Sequence, residues 1–430
     1  MVTTRGLSVK RSVCAVTVGA VLAVSFGLTG CASGFSGVTP GPATSGVDEP
    51  AYSATLHVNI PQVMKDNAIP GAVVLIDSPD QGRWTATFGT AEIGENVPPT
   101  LDDYFRIGSN TKTMTSTVIL QLVEQGKLSL DDPISKFRPD VPNGENITIA
   151  QLSEMRSGLF SYTFDPAFNA TLDSDPQNAW EPDELLAIAF THPANAAPGT
   201  VYEYSNTNIV LLGLVIEEIT GMSASEAFDT MIFEPLGLTR TSLPVNSEFE
   251  LPSPHAQGYQ FGTNADTIDS YAVPADQLPA ALDGSLLPLN YTDSNPSWAW
   301  TAGGAVSTPA DLATYVKAMV GGGLLDEATQ KVRMESIQPI APGSTGGVGY
   351  GLGIAQFAPG ILGHDGQLPG FSSFMAYNID TGDTIIVALN LSASPVDGQN
   401  AAVVVGKSII GTLYGAAELP SSSGPNPTAG

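Results

Sequence analysis

Ser109 and Lys112 stand three positions apart in Ser109-Asn110-Thr111-Lys112, and they are followed along the chain by Tyr204-Ser205-Asn206 and His364-Asp365-Gly366. A serine hydroxyl is a poor nucleophile until a base takes its proton. On a helix, a base three residues later lies on the same face, one turn away. Lys112 can be that base only when neutral, which requires desolvation or a nearby cation. The flanking Phe105-Arg106-Ile107-Gly108 and Thr113-Met114 are largely uncharged and permit such burial. A serine at a helix start also offers its own N–H as half of an oxyanion hole. Tyr204 can carry a proton if a protonated lysine beside it lowers its phenolic pKa. Asn206 has both a donor and an acceptor with which to hold Lys112 or a substrate amide. His364, between Ile361-Leu362-Gly363 and Gly366, reads as the start of a strand whose glycines let another backbone come close. The chemistry in view is acyl transfer to a serine, with Ser109, Lys112, Tyr204 and His364 at the reacting groups.

Each motif alone also has an ordinary reading. The Ser109/Lys112 spacing arises by chance on surface helices, Asn206 reads equally as a helix cap, and a lone histidine is more often a satisfied structural group. The ordered set of three is what points to acylation. The four histidines, His57, His192, His255 and His364, have no close ligand spacing, so neither a metal nor any other cofactor is expected. No Gly-x-Ser-x-Gly elbow is present, which removes the usual alternative serine hydrolase.

The elements that must carry these residues follow from periodicity. Residues 57–67 read as an amphipathic helix, and 71–76 and 83–89 as two strands joined by a turn at 78–82. A strong helix follows Ser109 and stops at Gly126, with Ser109 near its first turn. Further helices are expected at 207–219, 310–320, behind the cap Thr308-Pro309, and 398–413. Strands are expected at 351–357, 370–378 and 384–391, with a hairpin turn at 380–383. Strands thus lie at both ends and helices fill the middle. The expected fold class is α+β: an antiparallel sheet flanked by helices, with an all-helical lobe at about 130–296 inserted in it. No internal repeat is visible.

The two ends and the charge bound the setting. Arg5, Lys10 and Arg11 precede an apolar run from Val13 through Leu28 that is too short and Gly-interrupted to span a bilayer comfortably. This reads as an export signal over 1–30, and Leu28-Thr29-Gly30-Cys31 resembles the lipobox of bacterial lipoproteins, which implies lipidation at Cys31; the alternative is a plain secretory signal. Residues 31–55 read as a flexible tether, 56–416 as the folded domain and 417–430 as a disordered tail. With Cys14 in the signal and Cys31 lipidated, no thiol is left for a disulfide or a metal. Lys+Arg number 16 against 43 Asp+Glu. That balance excludes a nucleic-acid partner and leaves membrane attachment to the lipid alone, outside the cytoplasm. A monomer acting on a small molecule or cell-wall peptide is expected.

The order Ser-x-x-Lys, Tyr-x-Asn, His-x-Gly resembles the serine penicillin-recognising family of class C β-lactamases, Streptomyces-type D-alanyl-D-alanine carboxypeptidases, D-aminopeptidases and related esterases. Phe105-Arg106-Ile107-Gly108-Ser109, Leu120 through Leu128, Asp131-Asp132-Pro133-Ile134, Ser157-Gly158-Leu159, Phe233 through Leu238 and Ala302-Gly303-Gly304 look like that family's recurring segments. The resemblance covers about residues 56–415 and implies a two-lobed fold with the site in the groove between lobes. It implies Ser109 as acylated nucleophile, Lys112 as its helper, Tyr204 as general base and acid, Asn206 as a substrate contact and the Gln367 N–H as second oxyanion donor. Phe160, Tyr162, Phe164, Trp298 and Trp300 lie near family cleft segments, Trp300 being taken as a substrate contact. Two departures bear on substrate. Many relatives have lysine where His364 stands, and Asp365 replaces a threonine that often donates to a ligand carboxylate. An ionised Asp365 facing the groove would repel a carboxylate by about 1–4 kcal/mol; the other possibility is that it points away and orients His364. The expected activity is therefore that of a serine hydrolase acting on D-amino-acid peptides or small esters and amides, with β-lactams as poor substrates. The competing expectation is a non-catalytic wall-binding lipoprotein that has kept the fold.

Overall fold

The computed structural model describes residues 49–341 and 347–415. The export signal, Cys31, nearly all of the tether and the tail lie outside the described residues. The tether ends earlier than expected, since a helix begins at Ser53.

The strands are β1 (Gly71–Ser78), β2 (Gly82–Gly89), β3 (Phe105–Arg106), β4 (Tyr259–Gln260), β5 (Leu289–Asn290), β6 (Val306–Ser307), β7 (Gln338–Pro339), β8 (Gly349–Tyr350), β9 (Ala355–Ala358), β10 (Ile361–Leu368), β11 (Phe371–Asn378) and β12 (Thr384–Leu389). Eight form one sheet in the order β2-β1-β12-β11-β10-β9-β8-β7, every neighbouring pair antiparallel. Both ends of the chain build it, and a mainly helical middle runs between β2 and β7; the lobe expected to be all-helical at 130–296 also holds the β4-β5 pair.

Strand alternation sends successive side chains to opposite faces, and here each face has its own core. Val74, Ile76, Phe374, Ile385 and Val387 pack under the helices Ser53–Asp66 and Ala401–Tyr414. Leu75, Met375 and Ile386 pack under Thr111–Glu124 and Pro309–Gly321. With both faces covered, β12 (Thr-Ile-Ile-Val-Ala-Leu) is buried along its whole length. The edge strand β2 instead alternates, turning Trp84, Ala86 and Phe88 toward the helix Ser53–Asp66. In that helix Leu56, Ile60 and Met64, spaced by four, form the buried stripe.

Thr111–Glu124 is buried on all sides from Thr111 to Leu120, as is Asn206–Thr220 from Thr207 to Gly213. Such helices belong to an interior. Gly221, in the left-handed region, ends the latter, and the Thr308 side chain caps the helix that begins at Pro309. The strand expected at 351–357 is shorter, because Gly351-Leu352-Gly353 turns with Gly353 at φ 61° and only Ala355–Ala358 is extended. Strand β10 begins at Ile361, three residues before His364.

Candidate active site

The turn carrying Ser109 is a single 3₁₀ turn, Gly108–Asn110, ahead of the helix Thr111–Glu124, so Ser109 sits just before the first α-helical turn. Side chains pin it. Thr111 Oγ1 donates to the Gly108 carbonyl at 2.8 Å, Asn110 Nδ2 to Ser373 Oγ at 2.7 Å, and Ser373 Oγ to the Ile107 carbonyl at 2.8 Å. Strand β9 pairs only with Ile361, Leu362 and Gly363 of β10, which leaves the edge of 364–368 free for this turn. Two glycines let the backbones meet. A Cβ on Gly108 would stand 2.5 Å from the Gln367 nitrogen, and one on Gly366 would stand 1.9 Å from the Ile107 carbonyl oxygen. Gln367 therefore brings its backbone N–H beside the Ser109 turn, the placement that an oxyanion hole needs.

Lys112 is wholly buried, and its Nζ lies 2.9 Å from Ser109 Oγ, 2.6 Å from Asn206 Oδ1 and 2.6 Å from the Ala302 carbonyl oxygen. The last two atoms can only accept, so they hold two of the amine's hydrogens. The third position faces Ser109, and it is a hydrogen in the charged form and a lone pair in the neutral one. Burial pushes Lys112 down to about 7, opposed by the Asp365 charge. The amine is thus poised between its two forms near neutrality.

Asn206 is the first residue of its helix and does not cap it. Its Oδ1 holds Lys112 and its Nδ2 donates to Thr163 Oγ1 at 3.1 Å, so its side chain positions the lysine. Tyr204 hydrogen-bonds Ser109, and the Lys112 Nζ lies 4.8 Å from the Tyr204 ring centre. The expected lowering of its phenolic pKa is not found. Burial and the nearby Tyr350, Asp365 and Tyr202 push it well above 10, which outweighs the Ser109 hydrogen bond. Tyr204 is held as a phenol.

His364 and Asp365 take opposite sides of β10. His364, in register with Leu362, is buried on the side of the helix Thr111–Glu124, with Nε2 3.0 Å from the Tyr350 hydroxyl. Burial drives its pKa down to about 3, so it is neutral. The Asp365 carboxylate turns toward the helix Ala401–Tyr414, where the cap residue Asn400 donates Nδ2 to Oδ2 at 3.0 Å. Its side chain does not orient His364; its backbone carbonyl does, 2.5 Å from Nδ1. Burial raises the Asp365 pKa.

A cavity of about 620 Å³ opens over Ser109, lined by Tyr204, Asn206, Tyr350, His364, Asp365 and Gln367, among others. Two carboxylates, Glu203 and Asp365, line it, and no lysine or arginine does among the described residues. Arg240, the one basic residue between Arg156 and Lys317, pairs with Asp102 at 2.9 Å and stacks on Tyr104 away from the cavity. Phe164 and Trp298 form cavity wall as expected, while Tyr162 is core and Phe160 stacks on His192 at 4.0 Å. Trp300 is a correction. At φ 33° it opens the short helix Trp300–Gly303 with its ring in the core, and that helix meets the site through the Ala302 carbonyl.

Sequence reasoning missed Tyr350, Tyr202, Glu203 and Asn400, all at or beside the cavity. It also missed Tyr271, whose side chain hydrogen-bonds that of Gln367. Tyr350 sits in Gly349-Tyr350-Gly351 with no reactive neighbour, and only the β8-β9-β10 pairing brings it to His364.

A lysine amine buried against a serine hydroxyl at a helix start places a base where it can activate that serine for acylation. The chain belongs to the Beta-lactamase family, whose model matches residues 58–407. A D-stereospecific amidohydrolase from a Streptomyces species superposes with a TM-score of 0.70 at 31% identity, covering 86% of this chain and 100% of that one. The D-amino acid amidase of Ochrobactrum anthropi SV3, complexed with D-phenylalanine, gives 0.67 at 26% identity, covering 83% and 99%. The D-alanyl-D-alanine-carboxypeptidase/endopeptidase AmpH of Escherichia coli (strain K12) is 28% identical over 324 residues, 71% of this chain and 75% of AmpH. The chain spans 61% of the length of another curated relative, PbpX of Bacillus subtilis (strain 168).

Proposed function

We propose that this protein is a serine hydrolase acylated on Ser109 that cleaves amides, peptides or esters of D-amino acids whose amino group is free. The observation that carries this reading is the Lys112 amine, 2.9 Å from Ser109 Oγ, beside a cavity walled by Asp365 and Glu203 and by no cation among the described residues. A carboxylate ligand finds no charge partner on that wall, whereas an ammonium group finds two. The D-specific amidohydrolase and amidase among the similar structures support the choice of configuration.

In acylation, Ser109 Oγ attacks the substrate carbonyl while its proton passes to neutral Lys112, and the Ser109 and Gln367 N–H groups receive the oxyanion. The C–N or C–O bond then breaks as the Tyr204 phenol gives its proton to the leaving group, and Lys112 restores that proton. Water reverses the sequence and frees Ser109. A base and a donor each in its working form near pH 7 are what general acid–base catalysis requires. The leader and the Leu28-Thr29-Gly30-Cys31 motif support export and lipid attachment at Cys31 as part of the same proposal.

The test is a comparison of kcat/KM for D-phenylalanine amide, L-phenylalanine amide and nitrocefin. The D-amide is expected to be the best of the three. Nitrocefin as the best substrate would overturn the reading.

A further inference from the structure

The His364 ring is engaged at both nitrogens. Nδ1 lies 2.5 Å from the Asp365 carbonyl oxygen and Nε2 lies 3.0 Å from the Tyr350 hydroxyl. A carbonyl oxygen can only accept, so Nδ1 bears the ring hydrogen. Nε2 is then a lone pair, and Tyr350 must be the donor to it. The rings meet edge to face, 5.6 Å apart at 86°, and Tyr202 and Tyr204 pack on the other sides of Tyr350. Neither nitrogen of His364 retains a hydrogen to offer to the cavity, and the Tyr350 oxygen, its one hydrogen spent, has only lone pairs left.

We propose that Tyr350 is a positioning residue: by donating to His364 Nε2 it occupies the ring's remaining lone pair, holds its own hydrogen away from the cavity and presents an oxygen acceptor there, so that the wall receives an ammonium group and refuses a carboxylate. This rests on the reading of the protein as a hydrolase and names the device that sets its substrate class. Together, Tyr350 and Asp365 give the wall one polarity.

The charged and titratable groups around the pair are consistent with it. Lys112 comes from the helix Thr111–Glu124, Tyr202 and Tyr204 from the segment before Asn206, and Asp365 from β10 itself. Arg333, buried on the helix Glu327–Glu335, favours a Tyr350 anion. Burial, with the nearby Tyr202 and Asp365, outweighs Arg333 and keeps Tyr350 a phenol with its hydrogen to give. The Lys112 charge and burial both oppose a second proton on His364.

Two measurements decide the matter. On the native chain labelled with ¹⁵N, His364 assigned with His364→Asn, the imidazole is expected to be neutral from pH 5 to 8 with its hydrogen on Nδ1. A hydrogen on Nε2, or an imidazolium in that range, would overturn the proposal. In Tyr350→Phe, which keeps the ring and its packing, the ratio of kcat/KM for D-phenylalanine amide to that for its N-succinyl derivative is expected to fall about tenfold, the size of one lost hydrogen bond to a charged group. An unchanged ratio would also overturn it. The ¹⁵N experiment needs no variant of Tyr350, so poor folding of Tyr350→Phe leaves it decisive. The two failures separate: an inert native chain overturns the hydrolase reading, while the wrong tautomer in an active chain overturns only the role of Tyr350.

Discussion

Gly366 crosses the Ile107 backbone so closely that a Cβ added to it would stand 1.9 Å from the Ile107 carbonyl oxygen. No side chain can be accommodated there without parting β10 from the Ser109 turn. Gly366→Ala is therefore expected to displace the Gln367 N–H and slow acylation about 10²–10³-fold, the effect of losing one oxyanion donor. The second-order rate of fluorophosphonate labelling measures this, with circular dichroism to confirm that the fold persists. A rate within twofold of wild type would remove Gln367 from the site.

Acylation should carry the titration of Lys112. With that amine pushed down to about 7, kcat/KM is expected to rise tenfold per pH unit below 7 and level off above it. Asp365 holds the Lys112 pKa up, so Asp365→Asn should move the limb to lower pH. The same shift appears in stability. Between about 7 and the unfolded value of 10.5 the unfolded chain binds the extra proton, so the contribution of Lys112 to stability rises with pH through that window and is least favourable below it. Lys112→Met should abolish both effects in denaturant titrations and rate profiles.

Tyr204 is buried and held as a phenol, which suits a donor to the leaving group and a partner of the deacylating water. Tyr204→Phe should lower turnover about 10²–10⁴-fold, the span of a lost general acid–base group. With a p-nitrophenyl ester, whose leaving group needs no proton, an acyl-enzyme should then accumulate in intact-mass spectra of samples quenched during turnover. Unchanged turnover would remove the role given to Tyr204.

The selectivity of the wall should follow Asp365. Replacing it by asparagine should weaken kcat/KM for D-phenylalanine amide, and improve that for a peptide ending in a carboxylate, by an amount within the ~1–4 kcal/mol of a charge pair a few ångströms apart. Parallel steady-state assays on the two substrates decide it. If both change by the same factor, Asp365 does not discriminate between charges.

Legibility in the sequence followed the range of each interaction. The Ser109/Lys112 pair is about one helical turn apart, so its spacing suggested, and the ordered set of three motifs supported, the contact found at 2.9 Å. The antiparallel sheet was readable because β1, β11 and β12 are long enough to show a composition of their own between turn residues. Asn206 kept two readings open, and the structure resolved them through a lysine 94 positions away. Tyr350 was invisible, because its meaning comes from three strands pairing in order rather than from any neighbour in the chain. Trp300 misled for a related reason: a positive φ turns its ring into the core while its segment still touches the site. The direction of the Tyr204 shift depends on burial and on four groups gathered from four segments, which no local pattern encodes.

The most direct test of the account is intact-mass analysis of the mature domain after fluorophosphonate treatment, beside Ser109→Ala and Lys112→Met, with peptide mapping of any adduct. The account predicts a single adduct on Ser109, absent from Ser109→Ala and formed far more slowly in Lys112→Met. A folded native chain that takes no label, or a label that persists in Ser109→Ala, would contradict it.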